Sequence, residues 1–207
     1  IPLRLVGSEM CIRDRLNTAI SALAAAIGNQ PTATNDVSAT AGVTYVAINN
    51  AHALFGDASQ RLVAQVMTGA MYHKLVGQNL ANAERLFQFS GVQVVDILGK
   101  AVIITDAPAL YEAGTPNKQK VLSLADGAAV VMDGSDLITN IETSNGKERI
   151  ETTMQADYTF GLGLKGFTWD VANGGKSPTN AELSTGTNWD LVANSIKASA
   201  VSYTHLR

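Results

Sequence analysis

Along residues 150–165 apolar and polar positions alternate without a break. Ile150, Thr152, Met154, Ala156, Tyr158, Phe160, Leu162 and Leu164 tolerate burial, while Glu151, Thr153, Gln155, Asp157, Thr159, Gly161, Gly163 and Lys165 do not. A period of two sorts side chains onto opposite faces of a strand and not of a helix. Sixteen residues at about 3.3 Å each span roughly 50 Å, several times the usual strand. The pattern therefore predicts one continuous or once-bent strand, a beam joining two parts of the molecule, with the even-numbered side chains buried. Gly161 and Gly163 are the predicted points of bending.

Leu16 to Ile27 carries a helical stripe of Leu16, Ile20, Leu23 and Ile27, closed by Gly28. Residues 29–42 read as a loop, Val43 to Ile48 as a short strand, and Asn49 or Asn50 as the cap of a two-turn helix ending at Gly56. Leu62 to Met67 reads as a buried strand. Thr68 then caps a helix with Met71, Tyr72, Leu75 and Val76 on one face, and a short helix is predicted over Asn82 to Phe89. Beyond Gly91 the period changes. Val92 to Leu98 and Ala101 to Asp106 are predicted strands about a Gly99-Lys100 turn, the second apolar enough to be central.

Residues 107–120, with two prolines and no period, predict a long exposed loop. Val121 to Leu124 and Ala128 to Met132 are further strands, separated by Asp126-Gly127. Leu137 to Thr143 is predicted to pair with the beam across an Asn145-Gly146 turn. From Asp170 to about Thr187 the chain reads as loop, before a last element through Trp189, Leu191, Val192 and Ile196.

The two ends change the count of useful residues. Residues 1–15 and 202–207 resemble translated sequencing-adapter read-through and are set aside as non-native tails. Cys11, the single cysteine, falls there, so residues 16–201 hold neither a disulfide nor a thiolate metal site. Arg4, Arg13, Arg15 and Arg207 outnumber Glu9 and Asp14 in these ends, so the formal charge of −3 becomes more acidic without them. That balance, with no Lys/Arg cluster, argues against phosphate-backbone binding. No run of eighteen apolar residues predicts a transmembrane helix, and no signal-peptide pattern is recognised.

Chemistry-bearing motifs are few. Gly161-Leu162-Gly163-Leu164-Lys165-Gly166 has the letters of a dinucleotide fingerprint. That site needs a helix to open at its last glycine, whereas Phe167, Thr168 and Trp169 continue extended. Small residues on one face of a strand are the simpler reading. His52 and His73 lack partners at metal-ligand spacing, and neither a serine elbow nor a phosphate loop is present. Asp57, Asp96, Asp106, Asp126 and Asp133 all stand at turns or strand ends, where Asp is common for local reasons. Trp169 and Trp189 suit a sugar-stacking platform, but also a core or an interface. Neither an enzyme, nor a cofactor, nor a metal site is expected.

The order of elements is more telling than any motif. A strand (Leu62 to Met67) runs into a helix with Tyr72, Lys74 and Leu75. The glycine-led strand Gly99 to Asp106, a loop, the segment Val121 to Met132 and a long strand ending Lys165-Gly166-Phe167-Thr168-Trp169-Asp170 follow. Phe55-Gly56-Asp57 precedes them and Asn188-Trp189-Asp190 closes the series. This succession resembles the C-terminal portion of tailed-bacteriophage major capsid proteins, which have the Hong Kong 97-like fold.

The resemblance implies an α+β fold in two parts joined by the long strand. Residues 61–167 would form an axial domain of mixed sheet with flanking helices. Residues 16–60 and 168–201 would form a truncated peripheral domain with Leu16 to Ile27 as its spine helix. It also implies a structural subunit of a virion, assembled in the host cytoplasm from hexamers and pentamers of itself. Scaffold and portal proteins and DNA held without sequence specificity would be its partners, with no membrane. Within residues 107–120, Leu110, Tyr111, Glu112, Asn117 and Lys118 are the expected contacts around the capsomer axis. The family's N-terminal arm and extended loop have no counterpart here, so residues 16–201 alone are expected to fold in the axial part but to close no shells. An encapsulin-like compartment shell, with the same fold, and a carbohydrate-binding β-module are the alternatives.

Overall fold

The computed structural model describes residues 3–38, 42, 44–81, 96–97, 99–114, 117–134, 136–146, 148–193, 195, 197, 199 and 201–206. Its first element, α1 (Leu3–Gly28), buries Ala19, Ala22, Leu23, Ala26 and Ile27, spaced three and four apart along one face. The buried stripe is turned from the one predicted: Leu16 is 55% exposed and Ile20 only half-buried. The small residues win because they allow close approach. A Cβ on Gly186 would collide with the Ala25 carbonyl.

The helix lies on a seven-stranded mixed sheet. It contains β1 (Thr34–Asp36), β2 (Leu62–Met67), β3 (Asp96–Ile97), β4 (Lys100–Ile104), β5 (Tyr111–Glu112), β6 (Lys118–Ala125) and, last in the chain, β13 (Val201–Leu206). The order is β1-β13-β6-β2-β4-β3, with β5 beside β6. β2 pairs parallel to β4 and antiparallel to β6, and β1 runs parallel to β13.

One face of this sheet meets α1 through Leu62, Val66 and Leu122, in a core completed by Leu110, Leu164, Phe167, Leu183 and Trp189. The other face meets α2 (Tyr45–Ala53) and α3 (Gly69–Ala81), where Ala47, Ile48, Met71 and Leu75 pack on Met67 and Val121. Alternation along β2 and β6 sends neighbours Val66 and Met67, or Val121 and Leu122, to opposite cores.

Three small elements finish the fold. β7 (Ala129–Asp133) pairs with β10 (Phe160–Leu164), β8 (Ile138–Asn145) with β9 (Ile150–Asp157), and β11 (Phe167–Trp169) with β12 (Trp189–Leu191). The mixture of helices with several small sheets is the α+β class expected.

Several expectations need correction. The beam is two strands, not one. It breaks at Tyr158-Thr159 and not at the glycines, and its halves take different partners. The break is held by Asp136, which accepts from the Thr159 amide at 3.1 Å and its hydroxyl at 2.6 Å. Its even side is not buried along β9: Ile150 is 69% and Met154 64% exposed. The hairpin does form, but Asn145 pairs with Ile150 as a strand residue and is not part of a two-residue turn.

Of the strand expected over Val43 to Ile48, the described residues 44–48 open a helix instead. Thr44 caps α2 by accepting from the Ala47 amide at 3.1 Å, and Ala47, Ile48 and Ala51 supply a helical buried face. β4 lies inside the sheet as expected, yet Ile103 and Ile104 remain about half exposed. Residues 171–187 are not all loop. Asp170 caps α4 (Val171–Gly174), and Thr179 with Glu182 forms a capping box on α5 (Asn180–Leu183).

The ends set aside are placed in regular elements, α1 starting at Leu3 and β13 entering the sheet. The helix expected over Asn82 to Phe89 and most of the strand Val92 to Leu98 lie outside the described residues.

Gly174 sits against the Trp169 ring, so a methyl group there would displace an indole that packs edge-on against Trp189 at 4.8 Å. Gly174→Ala is expected to destabilise by about 1–3 kcal/mol and to shift tryptophan emission. Gly77→Ala, in α3 with nothing within 4 Å, is expected to stabilise by about 0.5–1 kcal/mol. Urea unfolding followed by fluorescence checks both.

Candidate functional site

Residues 107–120 are partly ordered by the sheet. Pro108–Leu110 is a single 3-10 turn, and Tyr111 and Glu112 pair with Gln119 and Lys118 as β5. Leu110 is fully buried in the core beneath α1. Tyr111, at 46% exposure, Glu112 and Asn117 face solvent, and Lys118 is half-buried. Asn117 Oδ1 accepts from the Gly114 amide at 3.1 Å, and Glu112 pairs with Lys120 at 3.5 Å. Four of the five residues singled out in the sequence thus lie on one small projection; Leu110 anchors it from below. Its burial fits an apolar residue at the end of a turn that must return to the sheet, and it corrects the expectation of a segment with little burial.

Two exposed apolar surfaces flank this projection in the chain. An open groove of about 820 Å³ runs between the middle of α1 and the sheet, lined by Leu16, Ile20, Val63, Ile103 and Leu124 together with Asp106 and Asp126. The ribbon β8–β9 has all sixteen of its strand residues exposed. Sequence reasoning missed both, because alternation reports which side chains share a face but not whether anything covers it.

The most perturbed ionisable group is internal. His52, on α2, shares a 2.8 Å hydrogen bond between its Nε2 and Ser123 Oγ in the middle of β6, and both residues are buried. Burial, helped by the Lys100 ammonium, lowers the His52 pKa from 6.5 to about 4. The Lys100 Nζ itself donates to the carbonyls of Ser59 and Leu62. Ser123 has no access to solvent, so the pair is a lock between α2 and the sheet, and a nucleophile there would meet no substrate.

The remaining motifs dissolve into structure. Gly161 to Lys165 lies in β10 and a tight turn with Gly166 at φ 86°, and β11 follows, so no helix N-terminus faces the glycines. Trp189 is buried and donates to the Leu183 carbonyl, while Trp169 donates to that of Gly175. They form a packed pair and not a sugar platform. Among the described residues no three His, Cys, Asp or Glu converge as metal ligands, and no helix is long and apolar enough to cross a membrane.

Comparison with known proteins gives one finding. A family model described as Gp13-like, "Major capsid protein 13-like", matches residues 6–201. No curated protein matches the chain.

Because His52 is held neutral in the folded chain, the unfolded chain binds the extra proton as pH falls below 6.5. Stability from this group is therefore whole above pH 6.5 and is lost progressively down to about pH 4. Asp57, Asp136, Asp170 and Glu182, held low by hydrogen bonds, lose their contributions only in the carboxylate range and below. His52→Gln, which keeps a donor and acceptor for Ser123, is expected to flatten the fall in Tm between pH 6.5 and 5, read by thermal denaturation across pH.

Proposed function

Since the chain belongs to the Gp13-like family of phage major capsid proteins, we propose that it builds an icosahedral head from hexamers and pentamers of itself. The match over residues 6–201, nearly the whole chain, is the observation that carries this reading. A structural role in the virion follows from the family.

In the finer reading the fold is Hong Kong 97-like. Residues 61–167 surround the capsomer centre, and 16–60 with 168–201 form the periphery with α1 as spine helix. The mixed sheet β1-β13-β6-β2-β4-β3, helices on both its faces and the projection at Tyr111 are consistent with such a subunit. Tyr111, Glu112, Asn117 and Lys118 would then meet their copies around the five- or six-fold axis, with Leu110 holding the projection in place. A formal charge of −3 suits a wall that encloses DNA without gripping it. Scaffold and portal proteins would take part in assembly in the host cytoplasm.

Sedimentation velocity and negative-stain microscopy of the chain test the reading. Rings of five or six copies are expected, and a strict monomer at every concentration overturns it. Tyr111→Ala with Asn117→Ala is expected to weaken ring formation at unchanged Tm. Leu110→Ala is expected instead to cost about 2–5 kcal/mol of stability by opening a core cavity.

A further inference from the structure

The ribbon β8–β9 is the least self-sufficient part of the molecule. Its register pairs Ile141 with Met154, Thr143 with Thr152, Thr139 with Ala156 and Asn145 with Ile150, so these eight residues share one face. Ile141, Ile150 and Met154 on that face are 65%, 69% and 64% exposed. The opposite face holds Glu142, Glu151, Asp157, Gln155, Asn140, Ser144 and Thr153, with Ile138 alone apolar. A two-stranded hairpin with neither face covered is marginal in water. Among the described residues no strand pairs with either outer edge of this one.

The root of the ribbon is nevertheless held. Thr159 donates to Asp136 through its amide and hydroxyl, and its carbonyl accepts from the Gly134 amide at 3.0 Å. Gly134 is required there, since a Cβ would collide with Thr159 Oγ1. A clamped root aims the ribbon and reduces the entropy lost when it docks.

We propose that the Ile141–Ile150–Met154 face of this ribbon is an interaction surface whose partner is a second copy of this chain, an inference that rests on the capsid reading. Charge removes other classes of partner. The sixteen strand residues include three acids and no Lys or Arg, which disfavours nucleic acid and anionic membranes. Area points to a repeated partner. The face measures about 27 Å by about 10 Å, on the order of 270 Å², against about 800 Å² per partner in a stable pair. A contact that small holds when many copies repeat it in one array. A second copy is the partner that a shell supplies in that number. The acids on the far face and at the strand edges keep the ribbon soluble until it docks.

Two arms test this on the whole chain. Ile141→Thr with Met154→Thr, a cross-strand pair that strands accommodate, should weaken self-association in sedimentation by at least about tenfold, while circular dichroism and Tm stay unchanged because neither side chain is buried in the subunit. Glu142→Gln with Glu151→Gln, on the opposite face, should leave association within about twofold. In a Cys11→Ser background, Met154→Cys should give intermolecular products with a short bis-thiol reagent, and Glu151→Cys far fewer. If the parent associates but the threonine pair does not weaken it, or both cysteines cross-link equally, the ribbon inference falls and the capsid reading stands. If the parent remains monomeric throughout, both fall.

Discussion

Strand β6 is paired on both edges and buried on both faces, and the rest of the molecule answers to that double obligation. Val121 and Leu122 are neighbours with no exposure, yet they enter different cores. Val121 needs α2 and α3; Leu122 needs α1 and the Leu110 turn. Backbone pairing to β2 and β13 satisfies the amides that this burial takes from water. Ser123, equally buried, would be an unpaired hydroxyl in an apolar layer without His52. The same neighbourhood then keeps His52 uncharged. A strand enclosed on every side thus dictates where three helices lie and which polar pair joins one of them to the sheet.

Against that enclosed centre stands an exposed periphery. Val63, Ile103, Ile138, Ile141, Ile150 and Met154 are about half or more exposed, although the chain buries Ile27, Ile48 and Met67 completely. Scattered apolar residues on a surface require no explanation, but these gather on a groove and a ribbon. In the proposed shell such surfaces are what one copy would offer another. On that reading the fold would divide its apolar residues between holding one subunit together and holding subunits to each other.

The strands Leu62 to Met67 and Val121 to Leu124, the helix after Thr68, and the pairing of residues 137–143 with the beam were all legible. Each was written in local period and punctuation, which act within a few residues. The helix Tyr45–Ala53 was misread because its β-branched opening looks like a strand, though Thr44 and the spacing of Ala47, Ile48 and Ala51 signalled a capped helix. The caps at Asp170 and Thr179 were equally available. Of the expected contact residues, the solvent-facing Tyr111, Glu112 and Asn117 could be read from a segment without period. The burial of Leu110 could not.

By itself, the sequence determined which residues share a face along the strands it identified, since that follows from the two-residue period of extended backbone. It also weighed against the dinucleotide site, because the residues after Gly166 read as extended. Only the tertiary structure decided which of those faces are covered. Leu16 and Ala19 lie one turn apart on the same helix, and packing distance favoured the alanine. Ile141 and Met154 alternate as faithfully as Val121 and Ser123, but the first pair meets water and the second meets two helices. Burial is a property of what lies opposite a residue, and in this chain what lies opposite comes from segments far along the sequence, 71 positions in the case of His52 and Ser123.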